Sequence, residues 1–327
     1  MKILIFEYIS GGGLAGQDLP ATLAAEGRMM LQALLNDLKS VPDLQIILPL
    51  DVRCTDLSLP RHTRVVPILA EDDIHLILSG LIAEAELVWP IAPETGGVLE
   101  GIAQQVRTAG KKLLLSEPET VALCGNKLET YRLLQTHGLP VVQTSLLAGL
   151  NDLPEPVCVI KPIDGVGCEG SLIVDESVAL PLTIDNPAGY VVQPLIEGQS
   201  VSLSCLFKQG QAWLLCCNCL QVDVESQQFH LQACRVNASN QNSRLYQALV
   251  ERIAQIMPGL WGYVGIDLIE SVQQGPLILE INPRLTTSYV GIATATGINV
   301  AEQTLYLLEG EPKLVFAQQH SVEVVIR

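Results

Sequence analysis

The stretch VIKPIDGVGCEGSLIV, residues 159–174, puts a lysine three residues ahead of a glycine-rich loop. In the P-loop the order is reversed, with the lysine closing the loop at a helix start. Here Lys161 ends a run that reads as a strand (Val157, Val159, Ile160), and Leu172–Val174 resumes strand character after Asp164–Gly170. The glycines therefore belong to a hairpin between two strands. A helix N-terminus, the usual anion site, is missing from this stretch. A phosphate held here needs a flexible cover and a lysine.

Working outward, the first ~120 residues alternate strand and helix signals as βαβ units do. Residues 2–9 form an apolar strand, and 22–38 carry Leu23, Gly27, Met30, Leu31, Leu34, Leu35 and Leu38 on one helical face. Gln45–Leu50 is a second strand, a helix near 72–84 precedes the strand Glu86–Ile91, and a helix over 97–109 precedes Lys112–Leu115. This pattern predicts a doubly wound parallel domain. Two successive helices, Pro118–Cys124 and Asn126–His137, are followed by strands and turns from 141 to 237. A helix over Ser243–Met257 leads to the strands Gly262–Ile269 and Leu277–Ile281, then to a polar loop, the helix Val300–Leu308 and a last strand, Val322–Ile326.

The chain has 327 residues, 48% hydrophobic and 17% charged, with a formal net charge of −16. That composition supports a packed core. It carries no basic cluster of the kind that nucleic acid or an anionic membrane surface requires. The apolar start, Met1–Phe6, is too short for a signal peptide, and no stretch reaches the ~18 apolar residues of a membrane span. Nine cysteines without an export signal point to a reduced, cytoplasmic compartment. The cluster Cys216, Cys217 and Cys219 contains a C-x-x-C, but it lies in a strand pattern that sends residues 216 and 219 to opposite faces. Buried strand thiols are the expectation there, against a zinc site.

Gly11-Gly12-Gly13-Leu14-Ala15-Gly16 satisfies G-x-G-x-x-G directly after the first strand, the pattern of a nucleotide-dependent oxidoreductase. Two features oppose it. Gln17–Pro20 intervene before the helix, and the acidic Asp51 follows Gly16 by 35 residues instead of about 20. The reading adopted is that Glu7, Tyr8, Ser10 and Gly11 shape a substrate pocket at the carboxyl end of the first strand, where open sheets bind ligands.

The residues that carry chemistry lie further on. In Gly262–Ile269, Val264, Ile266 and Leu268 share one strand face while Gly265 and Asp267 share the other. In Leu279-Glu280-Ile281-Asn282-Pro283-Arg284, Glu280 and Asn282 project together, with Leu279 and Ile281 expected in the core. Two carboxylates and an amide make a hard oxygen site, suited to Mg²⁺ held with nucleotide phosphates. Lys127 sits in the first turn of a helix, where a cation opposes the dipole; reaching an anion gives it a reason to be there. The five histidines form no cluster, and no Ser-His-Asp or Cys-His pattern competes.

Taken in order, Lys127, VIKP with Lys161, the glycine loop, Val191-Val192-Gln193-Pro194-Leu195-Ile196-Glu197-Gly198, GIDLI with Asp267 and LEINPR resemble an ATP-grasp enzyme over about 115–310. The resemblance implies three units: an α/β domain over 1–115 ahead of the grasp, a first subdomain over 116–195 carrying the flap, and a second over 196–327 carrying the metal site. It implies that Lys127 and Lys161 contact the ATP phosphates, with Lys161 also near the adenine. Gly165, Gly167 and Gly170 belong to the 164–171 flap. Gln193 and the backbone around Leu195 and Ile196 hold the adenine. Asp267, Glu280 and Asn282 hold two Mg²⁺ (or Mn²⁺), and Arg284 neutralises the transferring phosphoryl group or the acyl intermediate. Many members grip the ribose with a carboxylate two residues after the hinge glycine; here that place is Ser200, and Glu197 is the substitute at hand.

The chemistry so implied is activation of a carboxylate as an acyl phosphate, attack by an amine, and release of ADP and phosphate. The opening MKILIFEYISGGG and EGRMML (Glu26–Leu31) further resemble the tyramine–glutamate ligase family. That implies glutamate joined to tyramine, or to tyrosine, in methanofuran- or methylofuran-type cofactor biosynthesis. Other ATP-grasp reactions, such as dipeptide ligation, and a homodimer remain compatible.

Overall fold

The computed structural model describes residues 1–175, 184–238 and 242–326. The first strand, β1 (Lys2–Glu7), leads to α1 (Ala21–Leu38), β2 (Gln45–Asp51), β3 (Thr63–Ile68), α2 (Ile74–Glu84), β4 (Leu87–Ile91), α3 (Val98–Thr108) and β5 (Lys112–Leu113). The five strands form one sheet in the order β3-β2-β1-β4-β5, parallel throughout. The direction of winding reverses between β1 and β4, so the ligand-binding crevice of such a sheet lies at the carboxyl ends of these two strands. The expected doubly wound domain is present.

Edge strand β3 lies in a stretch without a strand signal in the hydrophobic pattern. Of its six residues only Ile68 is buried, and Pro67 fits a strand with an unpaired side. The helix α1 forms because Met30, Leu31, Leu34, Leu35 and Leu38 fall on one buried face. Asp73 caps α2 by accepting from His75 and Leu76 N–H groups.

Next come α4 (Pro118–Gly125), α5 (Lys127–Thr136), β6 (Ser145–Leu146), β7 (Val157–Pro162), β8 (Leu172–Asp175) and β9 (Tyr190–Pro194). Their strands form an antiparallel sheet in the order β6-β9-β7-β8. The remainder is β10 (Gly198–Lys208), β11 (Gln211–Glu225), β12 (Gln228–Val236), α6 (Ser243–Ile256), β13 (Gly262–Ser271), β14 (Gly275–Asn282), α7 (Tyr289–Thr296), α8 (Val300–Tyr306) and β15 (Val322–Val325). Six strands form the third sheet, β14-β13-β10-β11-β12-β15. The strand-rich expectation over 141–237 includes residues 176–183, which lie outside the described residues.

Two expectations need correction. Residues 289–296 form α7 where a polar loop was expected. This helix is built largely of small residues, and its buried Ile292 and Ala295 join α1 in one core. Leu279 does not enter the core beside Ile281. A bulge pairs Asp267 with Glu280 but Leu268 with Ile278, so Leu279 is the extra residue and Ile278 takes the core position.

The six-stranded sheet separates two cores. On one face Val264, Ile266 and Leu268 meet Leu249, Val250 and Ile253 of α6. On the other, Leu206, Leu215 and Tyr263 continue through α7 and α8 to Leu31, Leu34 and Leu35 of α1. Tyr289 donates to Asp37 Oδ2 at 2.7 Å across this junction. Among the described residues no helix is long and apolar enough to cross a membrane.

Candidate active site

Asn126 accepts from the N–H groups of Leu128 and Glu129, each at 3.1 Å, and so starts α5 at Lys127. The Lys127 side chain is 6% exposed, and its Nζ lies 3.6 Å from Glu280 Oε2. It also donates to the carbonyl of Gly165 in the glycine loop. A buried cation at a helix start is opposed by the dipole; Glu280 and that carbonyl offset the penalty.

Lys161 lies on β7, paired with Val191 of β9, and is buried. Burial lowers its pKa to about 8; Glu280 opposes that shift and Lys127 adds to it. Asp267 and Glu280 stand directly opposite each other on β13 and β14. Asn282 Nδ2 donates to Asp267 Oδ2 at 3.0 Å, and Ser202 on β10 also bonds Asp267. Burial, and then the charge of Glu280, push the Asp267 carboxyl well up. Burial pushes Glu280 the same way, but Lys127, Lys161 and Arg284 outweigh it and hold Glu280 down.

Arg284 donates through Nε to Glu94 Oε2 at 2.9 Å and through Nη1 to the Leu285 carbonyl at 3.2 Å. Helix α5, sheet β6-β9-β7-β8 and strands β13 and β14 thus bring Lys127, Lys161, Asp267, Glu280, Asn282 and Arg284 into one buried cluster. Among the described residues no group of three His, Cys, Asp or Glu side chains could hold a metal. The strand set instead comprises two carboxylates and an amide. Two carboxylates forced together at low exposure repel, and a hard divalent cation relieves that repulsion, so this donor set fits Mg²⁺ or Mn²⁺.

The glycine loop is tied to the parallel sheet at its base. Thr95 Oγ1 donates to the Asp164 carbonyl at 3.1 Å, and Gly96 N–H donates to Asp164 Oδ2 at 2.8 Å. Beyond that anchor, Gly167 is exposed and has a positive φ of +60° with nothing near its Cβ position. Gly165 and Gly170 both pack against Pro162.

Gln193 is buried, and its amide donates to Thr144 Oγ1 at 2.8 Å. Leu195 is half-exposed and its N–H bonds the Val157 carbonyl at 3.0 Å. Ile196 follows at the hinge before β10.

Glu7, Tyr8, Ser10 and Gly11 form a closed loop. Glu7 accepts from Ile9 N–H at 3.1 Å, from Ser10 N–H at 2.7 Å and from Ser10 Oγ at 2.5 Å. Gly11 N–H bonds the Glu7 carbonyl at 2.7 Å. The polar atoms of Glu7 and Ser10 hold this loop, and Tyr8 packs edge-on to Phe6 at 6.3 Å. Helix α1 begins only at Ala21, four residues after Gln17.

Cys216 and Cys217 lie in the two different cores. Burial pushes both thiols up to about 12. Cys219 Sγ lies 2.9 Å from Gln199 Nε2.

Two carboxylates beside Arg284 escape sequence reading. Glu94 follows β4, and its only signal is that position at the carboxyl end of a parallel strand. Glu26, on α1, bonds Thr287 and feels the charge of Arg284; in sequence it opens the run EGRMML, which carries no sign of a place near Arg284.

Comparison with known proteins agrees with this layout. The ATP-grasp domain family matches residues 124–288, and the pre-ATP-grasp 3 domain matches residues 44–121. The tyramine–L-glutamate ligase of Methanocaldococcus fervens is 25% identical over 295 residues, 89% of each chain. That of Methanocaldococcus jannaschii is also 25% identical over 295 residues, covering 89% of this chain and 85% of its own. A crystal structure of an ATP-grasp superfamily protein from Archaeoglobus fulgidus superposes with a TM-score of 0.73 at 23% identity, over 99% of this chain and 92% of that one. The lysines of α5 and β7, the opposed strand carboxylates and Arg284 all fall inside the matched region, and the chain belongs to the ATP-grasp family.

Proposed function

We propose that this ATP-dependent carboxylate–amine ligase joins L-glutamate to tyramine through an acyl phosphate, releasing ADP and phosphate. The observation that carries the reading is the single buried cluster in which Lys127, Lys161 and Arg284 face Asp267, Glu280 and Asn282. Phosphoryl transfer needs positioning and charge neutralisation more than a side-chain nucleophile, and this cluster offers both. The choice of glutamate and tyramine rests on the two curated relatives, which match over most of their length.

In this reading Lys127 and Lys161 hold the ATP phosphates, and the loop 164–171 covers them with Gly165, Gly167 and Gly170 as its flexible points. Gln193 and the backbone at Leu195 and Ile196 border the adenine. Asp267, Glu280 and Asn282 hold two Mg²⁺ or Mn²⁺ ions, which supply Lewis-acid neutralisation of phosphate charge. Arg284, oriented by Glu94, offers a fixed planar cation to the developing acyl phosphate. Because Glu280 already draws Lys127 and Arg284 inward, these cations need little reorganisation when charge develops.

The test is an ADP-release screen of amino acids crossed with amines, with glutamate against tyramine and tyrosine first. Release that requires both partners, and acyl hydroxamate when hydroxylamine replaces the amine, are the expected results. Turnover with two amino acids in place of glutamate and tyramine identifies a dipeptide ligase. Full activity in both Lys161→Ala and Glu280→Gln overturns the reading.

A further inference from the structure

Glu94 is unusual among the charged side chains of this protein. Its side chain is 6% exposed, and Oε2 accepts from Arg284 Nε at 2.9 Å. Its other oxygen, Oε1, is the one buried side-chain polar atom without a hydrogen-bond partner among the described residues. A buried acceptor left unmade is destabilising, and more so when it is charged. Such an atom calls for a donor that arrives with a ligand.

Its place in the fold says which ligand. Glu94 lies just past β4, at the crevice where the winding of the parallel sheet reverses. Gly125, which ends α4, comes so close that a Cβ there would sit 3.3 Å from Glu94 Cβ. Glu26 of α1 bonds Thr287 and feels the charge of the same Arg284 guanidinium. Burial, partly opposed by Arg284 and Thr287, raises the Glu26 carboxyl.

We propose that Glu94 Oε1, backed by Glu26, receives the primary ammonium group of the amine substrate and holds it beside Arg284. This rests on the ligase reading above. An ammonium brings one positive charge and three donors, which suits a buried carboxylate oxygen without a partner. Because Arg284 faces the acyl phosphate in that reading, an ammonium held on Glu94 lies next to the carbon it must reach; one N–H proton passes to Glu94 Oε1, the freed amine lone pair attacks that carbon, and phosphate leaves. Glu94 is then both the orienter of Arg284 and the specificity element for a cationic amine.

The experiment compares two nucleophiles and two ligands. Hydroxylamine is uncharged at neutral pH and needs no ammonium receptor. In Glu94→Gln, the ratio of hydroxamate formed to tyramine amide formed rises about tenfold or more over wild type, with the tyramine KM raised and the ATP KM little changed. Any loss from a displaced Arg284 affects both products and cancels in the ratio. An unchanged ratio, with kcat alone reduced, overturns the proposal and leaves Glu94 as a positioning residue for Arg284. Glu26→Gln gives the same shift to a smaller degree, and serves if Glu94→Gln fails to fold. Independently of turnover, tyramine raises the melting temperature of the wild-type protein, 4-ethylphenol (the same ring without the ammonium) does not, and the shift is lost in both variants. Equal shifts from the two ligands overturn the proposal. A wild-type protein that forms neither hydroxamate nor amide with any carboxylate refutes the ligase reading instead, and the melting comparison then decides the ammonium site alone.

Discussion

Two glycine-rich loops follow strands in this protein, and they use glycine for opposite ends. In residues 10–16 the glycines admit close packing. A Cβ on Gly12 would sit 2.5 Å from Ile68 Cγ2, and the backbone there has φ +93°. The polar groups of that loop are spent on one another through Glu7 and Ser10. In residues 164–170 the packing is uneven: a Cβ on Gly167 would meet nothing within 4 Å, Gly165 and Gly170 lie against Pro162, and Asp164 is bonded by Thr95 and Gly96. The first loop is a packed corner of the parallel sheet; the second is anchored at Asp164, open at Gly167 and bonded through its Gly165 carbonyl to Lys127. A glycine count therefore says nothing of function until it is known what lies against each Cα.

The contrast breaks most visibly in catalysis. Lys161→Ala, at the root of the open loop, lowers kcat by about 10²–10³ while the melting temperature stays near that of the wild type. A loss of folding with no loss of specific activity would reverse the assignment of the two loops. In the packed loop, Gly12→Ala lowers stability by about 4 kcal/mol, from backbone strain and overpacking together. Urea midpoints measure it, and a neutral result would show that the loop has room to shift.

The pH dependence of stability separates the loops by sign. Lys161, held near 8 chiefly by burial, binds its proton less well folded than unfolded. Between about 8 and the ordinary lysine value near 10.4 the unfolded chain carries more protons, so stability rises with pH. That contribution, about 3 kcal/mol at most, is complete above the ordinary value and lost as pH falls through 8. Glu7 is raised by burial, against its bonds to Ser10 and Ile9. Its contribution is complete below the ordinary carboxylate value and is lost as pH rises through the folded one. Urea unfolding across the pH range therefore shows a flattened alkaline limb in Lys161→Met and a flattened acid limb in Glu7→Gln. The smallest effect belongs to Gly167→Ala. It meets no neighbour and costs only the left-handed backbone, about 1 kcal/mol, and it raises the KM for ATP by stiffening the cover. A change in the KM for tyramine but not for ATP would place the loop over the wrong substrate.

Local pattern was enough for most elements. Helix α1 was legible from its leucines, and β13 from Val264, Ile266 and Leu268 set against Asp267. Strand β3 was not, because an edge strand with exposed Arg64 and Val65 lacks the buried alternation that marks its neighbours. Helix α7 escaped because its small residues carry no amphipathic signal; it is a helix through packing against α1 and β15. The bulge at Leu279 shows the same limit, since a one-residue insertion that turns a leucine out of the core is invisible to a period of two. At the site, Lys127, Lys161, Asp267, Glu280, Asn282 and Arg284 were legible because each lies in a short run whose order is informative. Glu94, which bonds Arg284, and Glu26, which feels its charge, stand 68 residues apart in segments distant from that arginine, so no local run shows the three together.

By itself the sequence determined the family, the α/β start, the grasp that follows and the residue types able to hold phosphate and a hard cation, because hydrophobic periodicity and short motifs are local properties. Only the tertiary structure decided which of two glycine loops is packed at its centre, which acidic side chain bonds Arg284, and which carboxylate oxygen is left without a donor. Those depend on burial and on contacts between distant segments, which exist only once three sheets have packed around one cleft.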